Sequence, residues 1–173
     1  MKALDFWKAV AVDEAGLLEQ LVEMLRDRSV RYCVVGGQAV NAYVEPLVSL
    51  DLDLAVATDD LALVEALVRE RFRVERFPHS LNLSMPGSDL RVQIQTDPRY
   101  AEYVDRAEIL PVLGLRLPVA RVEDVLQGKI WAAQDPARRA SKRQKDLADI
   151  SRLLETDPQL RSRVPDELLK RLI

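Results

Sequence analysis

Two aspartates one residue apart, Asp51 and Asp53, form the most informative chemical pattern in this sequence. They lie in an apolar segment that alternates as β-strands do, with successive side chains pointing to opposite faces. The two carboxylates therefore share one face, while Leu52 and Leu54 share the other and belong to a core. Neighbouring carboxylates are hard oxygen ligands, so the pattern predicts a site for a divalent cation such as Mg²⁺.

A glycine pair, Gly36-Gly37, precedes this strand and directly follows another short apolar run. Taken alone, each pattern has a simpler interpretation. A glycine pair after a strand is commonly only a tight turn, and an Asp-x-Asp strand is more often a solvated edge. A dinucleotide-binding glycine loop does not fit, because the third glycine of that motif is absent.

Periodicity and turn residues predict the elements that would position these side chains. Helices are expected at 17–25, 38–43 and 61–71, and strands at 31–35, 50–57, 72–77, 81–85 and 90–95. Asp97 and Pro98 have the composition of a helix start. A hairpin is expected at 110–119 around Gly114, followed by helices from 121 onward that break near 135, 157 and 164. The pattern predicts an α+β fold with a mixed sheet, flanking helices and a C-terminal helical segment.

Length and composition are those of a single globular domain. The chain has 173 residues, 48% hydrophobic and 31% charged, with a net charge of -3. We expect a core at 1–120 and a helical segment at 121–173 that packs on it. The acidic balance argues against general nucleic-acid coating, although it permits a local basic patch. Cys33, the only cysteine, lies in an apolar run and is expected to be a buried thiol.

Targeting signals are not evident in the sequence. Residues 1–10 lack the basic leader and apolar run of a signal peptide. No stretch reaches the roughly 18 apolar residues that a membrane-spanning helix needs. We therefore expect a cytoplasmic protein without a membrane partner.

In this order, the glycine pair, a short helix and the carboxylate-x-carboxylate strand resemble the nucleotidyltransferase fold superfamily. The resemblance implies that Gly36 and Gly37 cradle nucleotide phosphates, because a missing Cβ lets backbone amides approach an anion. It also implies that Asp51 and Asp53 hold Mg²⁺ against a nucleoside triphosphate. The expected reaction attaches a nucleoside monophosphate to an acceptor and releases pyrophosphate.

The C-terminal half adds a second resemblance. The segments Gly-Lys-Ile-Trp-Ala-Ala at 128–133 and Lys-Asp-Leu-Ala-Asp-Ile at 145–150 are similar to the tail of abortive-infection toxin type nucleotidyltransferases and their uncharacterised bacterial relatives. This implies that Lys129 contacts phosphates, that Asp146 completes the site, and that an antitoxin-like partner exists. Two simpler interpretations compete: Lys129 snorkels at the rim of the core, and Lys145 and Asp149 form an ordinary i,i+4 ion pair.

One position departs from the superfamily pattern. Many members carry a third carboxylate on a strand beside the aspartates, and the matching position here is Gln93. An amide can accept a hydrogen bond or weakly ligate a metal, but it cannot take a proton at neutral pH. Gln38, Ser49 and Gln93 are further candidates for nucleotide contact, whereas His79 is expected to be a surface or turn residue.

These patterns leave several functions open. The first is a Mg²⁺-dependent nucleotidyltransferase acting on an RNA terminus, a protein hydroxyl or a small molecule. The second is a degenerate nucleotide-binding member of the fold, with weak or no catalysis because of Gln93. A toxin component restrained by a partner is the third. A basic cluster at 138–145 is either a solvated face or a landing site for a triphosphate or acceptor.

Overall fold

A seven-stranded mixed β-sheet forms the centre of the computed structural model, which describes residues 12–172. The strand order across the sheet is β3-β4-β5-β2-β1-β7-β6. The strands are β1 (Tyr32–Val35), β2 (Asp51–Val56), β3 (Arg73–Phe77), β4 (Ser80–Ser84), β5 (Arg91–Gln95), β6 (Glu108–Val112) and β7 (Leu115–Val119). The predicted α+β class with a mixed sheet is therefore confirmed.

Seven α-helices and three short 3₁₀ segments accompany the sheet within the described residues. The α-helices are α1 (Leu17–Asp27), α2 (Gly36–Tyr43), α3 (Leu61–Arg71), α4 (Ala101–Asp105), α5 (Val122–Gln134), α6 (Ala140–Thr156) and α7 (Asp166–Leu169). The 3₁₀ segments are Thr58–Asp60, Pro98–Tyr100 and Pro158–Arg163. Every helix and strand predicted within this range is present, with boundaries shifted by one or a few residues. The expectation for residues 1–10 lies outside the described part of the chain.

Strand β2 lies in the middle of the sheet and carries the aspartate pair. It runs antiparallel to β1 and parallel to β5. Leu52 and Leu54 are each only 1% exposed, whereas Asp51 and Asp53 keep partial exposure. The predicted alternation is thus confirmed: the leucines enter the core and the carboxylates share the opposite face.

Local turn chemistry explains the hairpin of β6 and β7. Val112 pairs with Leu115, which leaves the two-residue loop Leu113-Gly114, and both of these residues have positive φ. Two central residues with positive φ match the right-handed twist of the flanking strands. The predicted hairpin is confirmed, and so is the burial of Cys33.

The C-terminal helices return to the sheet on the side of α2. Helices α5 and α6 contact each other, and both contact α2, which itself contacts β1 and β2. The Asp157 carboxylate accepts a hydrogen bond from Gln159 N at the break after α6. This packing brings residues of the C-terminal half beside β2, while the division of the chain at residue 120 stays a prediction. No helix within 12–172 combines the length and apolar character needed to cross a membrane.

Candidate active site

The turn between β1 and α2 is shaped by a carboxylate. Gly36 has φ +67°, in the left-handed region that favours glycine. A Cβ placed there would overlap Asp53 Oδ2 and lie 2.9 Å from Asp53 Cγ. At Gly37, in contrast, no atom outside its own helix and chain neighbours lies within 4 Å of such a Cβ. Gly36 is therefore required for the close approach of the Asp53 side chain, and Gly37 leaves open space at the start of α2.

The Asp53 carboxylate is partly buried and poorly compensated. Its pKa is raised to about 6, mainly by loss of hydration and also by the charge of Asp51, although the positive charges of Lys129, Arg138 and Lys142 act to lower it. Within residues 12–172 its oxygens take part in no hydrogen bond or ion pair. An unpaired, partly dehydrated carboxylate is a group that a cation or a proton would stabilise.

Asp51 is anchored by two basic side chains. Its Oδ1 lies 2.9 Å from Arg91 Nε, and its Oδ2 lies 3.9 Å from Lys142 Nζ. The register explains the first contact, since Asp51 and Arg91 are paired residues on the parallel strands β2 and β5. Asp51 is therefore held in position at an accessible edge of the site.

Gln93 occupies the position at which the resemblance led us to expect a third carboxylate. It is the paired residue of Asp53 across β2 and β5. Its Nε2 donates to Ser80 Oγ at 3.0 Å. The amide therefore has a partner on β4 and adds no second negative charge beside Asp53.

Lys129 is clamped between two carboxylates of α6. Its Nζ lies 3.1 Å from Asp146 Oδ1 and 2.7 Å from Asp149 Oδ2, and only 11% of the side chain is exposed. Burial lowers the pKa of Lys129, but the charges of Asp149 and Asp146 outweigh that effect and the net shift is upward. The interpretation of Lys129 as a snorkelling rim residue is thus wrong.

Asp149 has partners that the sequence did not indicate. Besides Lys129, it accepts from Arg152 at 2.8 Å, and Arg152 in turn donates to Glu45 O at 2.6 Å. The predicted i,i+4 ion pair between Lys145 and Asp149 is therefore wrong. Tertiary contact between α5 and α6 supplies a closer, buried cation, which outcompetes a surface lysine of the same helix.

A cavity of about 580 Å³ opens in front of Asp53. Five of the predicted site residues line it: Gly36, Asp53, Gln93, Lys129 and Asp146. Asp146 is almost fully buried, and its Oδ2 also accepts from Arg138 Nε at 2.9 Å. The strand pair, the glycine turn and the C-terminal helices thus meet at one place.

Four predicted residues, Gly37, Gln38, Ser49 and Asp51, are not among those that line this cavity. The buried Gln38 donates from Nε2 to Ser49 O at 2.8 Å, and Ser49 Oγ accepts from Asp51 N at 3.3 Å. Both side chains therefore secure the segment leading into β2. Their contact with a nucleotide stays a prediction.

The sequence reasoning missed several residues at the cavity. Arg138 was seen only as a member of a basic cluster, and exposed His79 only as a turn residue, yet both line the cavity. It also missed an aromatic group: Tyr100 and Tyr103, three residues apart after the Asp97-Pro98 helix start, together with Trp131. The three-residue spacing of the two tyrosines is the sequence pattern that could have indicated this aromatic group.

The carboxylates present suit one hard cation bound together with a substrate. Within the described residues no group of three or more His, Cys, Asp or Glu side chains forms a metal cluster. Magnesium commonly takes one or two carboxylates and completes its shell with substrate phosphates and water. Asp51 and Asp53 fit this requirement, because they supply two carboxylates and that of Asp53 is unpaired.

Solved structures with similar architecture share this arrangement of sheet and helices. ANT(2")-Ia in complex with adenylyl-2"-tobramycin aligns with a TM-score of 0.54 at 16% identity, over 87% of this chain and 98% of that one. The lincomycin-bound lincosamide antibiotic adenylyltransferase LnuA aligns at 0.53 and 14%, over 79% and 95%. The chain has the nucleotidyltransferase fold.

A third solved structure also has a similar architecture. An antigenic nucleotidyltransferase-like protein from Paracoccidioides brasiliensis aligns with a TM-score of 0.53 at 20% identity, over 80% of this chain and 74% of that one. No protein-family model and no curated protein matches the sequence. The predicted resemblance to the nucleotidyltransferase superfamily is confirmed at the level of the fold. The finer resemblance to abortive-infection toxins stays a prediction.

The contact between Gly36 and Asp53 predicts unequal effects for two adjacent substitutions. Gly36→Ala should lower the free energy of unfolding by about 2–4 kcal/mol, because alanine is strained at positive φ and its Cβ displaces the carboxylate. Gly37→Ala should change it by less than about 1 kcal/mol, because the space is open and alanine favours a helix. Urea unfolding measures both, and equal effects would contradict the assigned contact.

The raised pKa of Asp53, about 6, predicts a specific pH dependence of stability. The native state binds this proton more tightly than the unfolded chain, so the contribution of Asp53 to stability falls as pH rises from about 4 to about 6. Asp53→Asn should therefore be more stable than wild type above pH 6, by about 3 kcal/mol, and equal to it below about pH 4. Urea unfolding between pH 4 and 8 tests this. Asp59→Asn is the control, because its side chain is 91% exposed, and a pH-independent Asp53→Asn effect would refute the assignment.

Proposed function

We propose that this protein is a Mg²⁺-dependent nucleotidyltransferase that moves a nucleoside monophosphate from a nucleoside triphosphate to an acceptor hydroxyl. The observation that supports this most is the unpaired Asp53 carboxylate, which faces a large cavity beside the glycine turn. Asp51 and Asp53 are the proposed metal ligands. The shared fold supports the proposal but does not by itself identify an activity.

The proposed ligands have unequal roles. Asp51 is already held by Arg91 and would fix the position of the cation, whereas Asp53 would gain its first partner. Together the two carboxylates would hold Mg²⁺, which would supply positive charge to offset that of the triphosphate. The open start of α2 at Gly37 would present backbone amides to the phosphates, as helix N-termini do.

Three cations are proposed to neutralise the triphosphate. Lys129 provides a fixed positive charge behind Asp53, although its ammonium group is engaged by Asp146 and Asp149. Arg138 uses only its Nε in its contact with Asp146, so its terminal nitrogens are available to an incoming phosphate. Lys142, whose Nζ lies 3.9 Å from Asp51 Oδ2, would add a third positive charge beside the proposed metal ligands. Asp146 would thus act as a positioning residue for two of these cations.

The transfer itself needs little covalent help from the protein. The acceptor hydroxyl oxygen forms a bond to the α-phosphorus while the bond from that phosphorus to the α,β-bridging oxygen breaks, and pyrophosphate leaves with the electron pair. Gln93 cannot accept the hydroxyl proton at neutral pH, so the proton passes to water. We therefore expect turnover to be slow and to increase with pH.

Calorimetric titration with ATP, GTP, CTP and UTP in the presence of Mg²⁺ tests the site. The wild-type chain should bind at least one triphosphate in a Mg²⁺-dependent manner. Asp51→Asn plus Asp53→Asn should weaken this binding at least tenfold, because the cation loses both charged ligands. Unchanged triphosphate affinity in the double variant would refute the proposed metal site.

Matched variants separate local contacts from a general charge effect. Asp59→Asn plus Asp89→Asn changes the net charge equally at two exposed positions outside the cavity and should leave binding intact. Arg138→Gln should weaken triphosphate binding, whereas Arg139→Gln, at the exposed neighbouring position, should not. If both arginine variants behave alike, Arg138 has no specific role.

A second candidate function is nucleotide binding without turnover. It is favoured by Gln93, whose amide stands beside Asp53 in register and is engaged by Ser80. Such a protein would bind Mg²⁺ and a triphosphate as above but would release no pyrophosphate with any acceptor.

Gln93→Glu distinguishes the two candidates. If the wild type is an enzyme limited by the missing base, the added carboxylate should raise the rate of pyrophosphate release about tenfold or more at pH 8, with triphosphate affinity nearly unchanged. A pyrophosphate assay with each acceptor class measures this. Absence of pyrophosphate from both forms, despite Mg²⁺-dependent binding, would favour the binding function.

The acceptor panel follows from the alternatives that the sequence left open. It comprises an RNA 3′ end, a protein hydroxyl and small molecules, and two structural neighbours motivate adding tobramycin and lincomycin. An antitoxin-like partner is proposed only from the toxin resemblance. Co-purification with the product of an adjacent gene would test it.

A further inference from the structure

An aromatic group forms the wall of the cavity on the side of α4 and α5. The Tyr100 ring meets both Tyr103 and Trp131 edge-on, with centroids 5.7 and 5.8 Å away. The rings of Tyr103 and Trp131 are parallel within 7° at 6.1 Å. All three residues line the same cavity as Asp53, so a ligand at the aspartates would extend toward this wall.

Helix α5 makes room for this wall. A Cβ placed on Gly128 would lie 3.4 Å from Tyr100 Cε1, at the short end of ordinary van der Waals contact. Glycine is unfavourable inside a helix, and here it lets the Tyr100 ring lie against the helix next to Lys129. Burial raises the pKa of Tyr100, and the charges of Arg99 and Asp53 act on it in opposite directions. The Tyr100 ring therefore contacts the other two rings of the wall and also lies beside the turn of α5 that carries Gly128.

Arg99 completes the wall with a fixed planar cation. Its guanidinium lies 4.6 Å from the centre of the Trp131 ring. Asp97 holds the guanidinium by accepting from Nε at 3.0 Å and from Nη2 at 2.8 Å. The side chain stays 55% exposed. A guanidinium that rests on an indole and is fixed along one edge offers a flat surface on which an aromatic ring can stack.

The Tyr103 hydroxyl lacks a partner. Tyr103 is only 4% exposed, and its buried hydroxyl makes no hydrogen bond within the described residues. Buried tyrosine hydroxyls are usually paired. Tyr103 also lines a second cavity of about 380 Å³, so the residue that carries the unpaired hydroxyl adjoins two open spaces. A polar atom of a ligand would give it the missing partner.

We propose that Arg99, Tyr100, Tyr103 and Trp131 form a binding site for a planar aromatic ring carrying a polar substituent. The ring stacks on Arg99 and the tyrosine–tryptophan group, and its substituent pairs with the Tyr103 hydroxyl. This inference rests on the proposed function and extends it. The ring is either the base of the nucleotide or an aromatic portion of the acceptor.

Fluorescence of Trp131 tests the site independently of phosphate chemistry. Trp7 and Trp131 are the 2 tryptophans of the chain, so Trp7→Phe leaves Trp131 as the only reporter. Adenosine, guanosine, cytidine and uridine probe a nucleobase, and tyramine and catechol probe an aromatic acceptor. Ribose and tripolyphosphate are the ringless controls. At least one ring compound should quench Trp131 saturably, whereas the ringless compounds should not.

Tyr103→Phe and Tyr43→Phe form a matched pair. Tyr103→Phe should weaken ring binding about fivefold, the effect of losing one net hydrogen bond, without loss of thermal stability, because its hydroxyl is unpaired in the free protein. Tyr43 Oη donates to Ala120 O at 2.9 Å outside the cavity. Tyr43→Phe should therefore lower stability and leave ring affinity unchanged.

The outcomes separate this inference from the proposed function. Nucleoside quenching assigns the site to the base, and quenching by tyramine or catechol alone assigns it to the acceptor. Either result should persist in the Asp51→Asn plus Asp53→Asn variant, because these probes carry no phosphate. Failure of every ring compound to quench Trp131, or equal ring affinity in Tyr103→Phe and wild type, would overturn the proposal.

Discussion

The close approach of the Asp53 carboxylate to Gly36 is the constraint on which the site depends. It joins β2 to the turn between β1 and α2, so the position of a charged side chain and the start of a helix are fixed together. A side chain at position 36 would push the carboxylate away from the cavity. Burial at this place also removes water from the Asp53 carboxylate, which raises its pKa.

The surrounding charges show why Asp53 differs from the other acids nearby. Asp51 is paired with Arg91, and Asp146 and Asp149 share Lys129 while each also has an arginine of its own. Those carboxylates are compensated by side chains on neighbouring elements. A partly buried carboxylate without such a partner is costly, and the same property suits Asp53 to the proposed role of metal ligand.

The sequence predicted those parts of the fold that depend on local patterns. Alternation placed Leu52 and Leu54 in the core and the aspartates opposite them, and a glycine at position 114 indicated the hairpin. Contacts between distant elements were not predictable in this way. Lys145 and Asp149 have suitable helical spacing, yet Asp149 turns to Lys129 because α5 packs on α6. The aromatic wall likewise forms only when α4 and α5 meet.

Gln93 is consistent with this balance of charge. Asp53 already has its pKa raised by burial and by the neighbouring Asp51. A second carboxylate in register with Asp53, on the adjacent strand, would raise this pKa further and favour the protonated form near pH 7. The neutral amide avoids that repulsion and uses its hydrogen to bind Ser80. Asp53 thereby stays ionised at neutral pH. In the proposed reaction, the same amide that preserves a charged ligand for Mg²⁺ also removes a group that could take the proton of the acceptor hydroxyl.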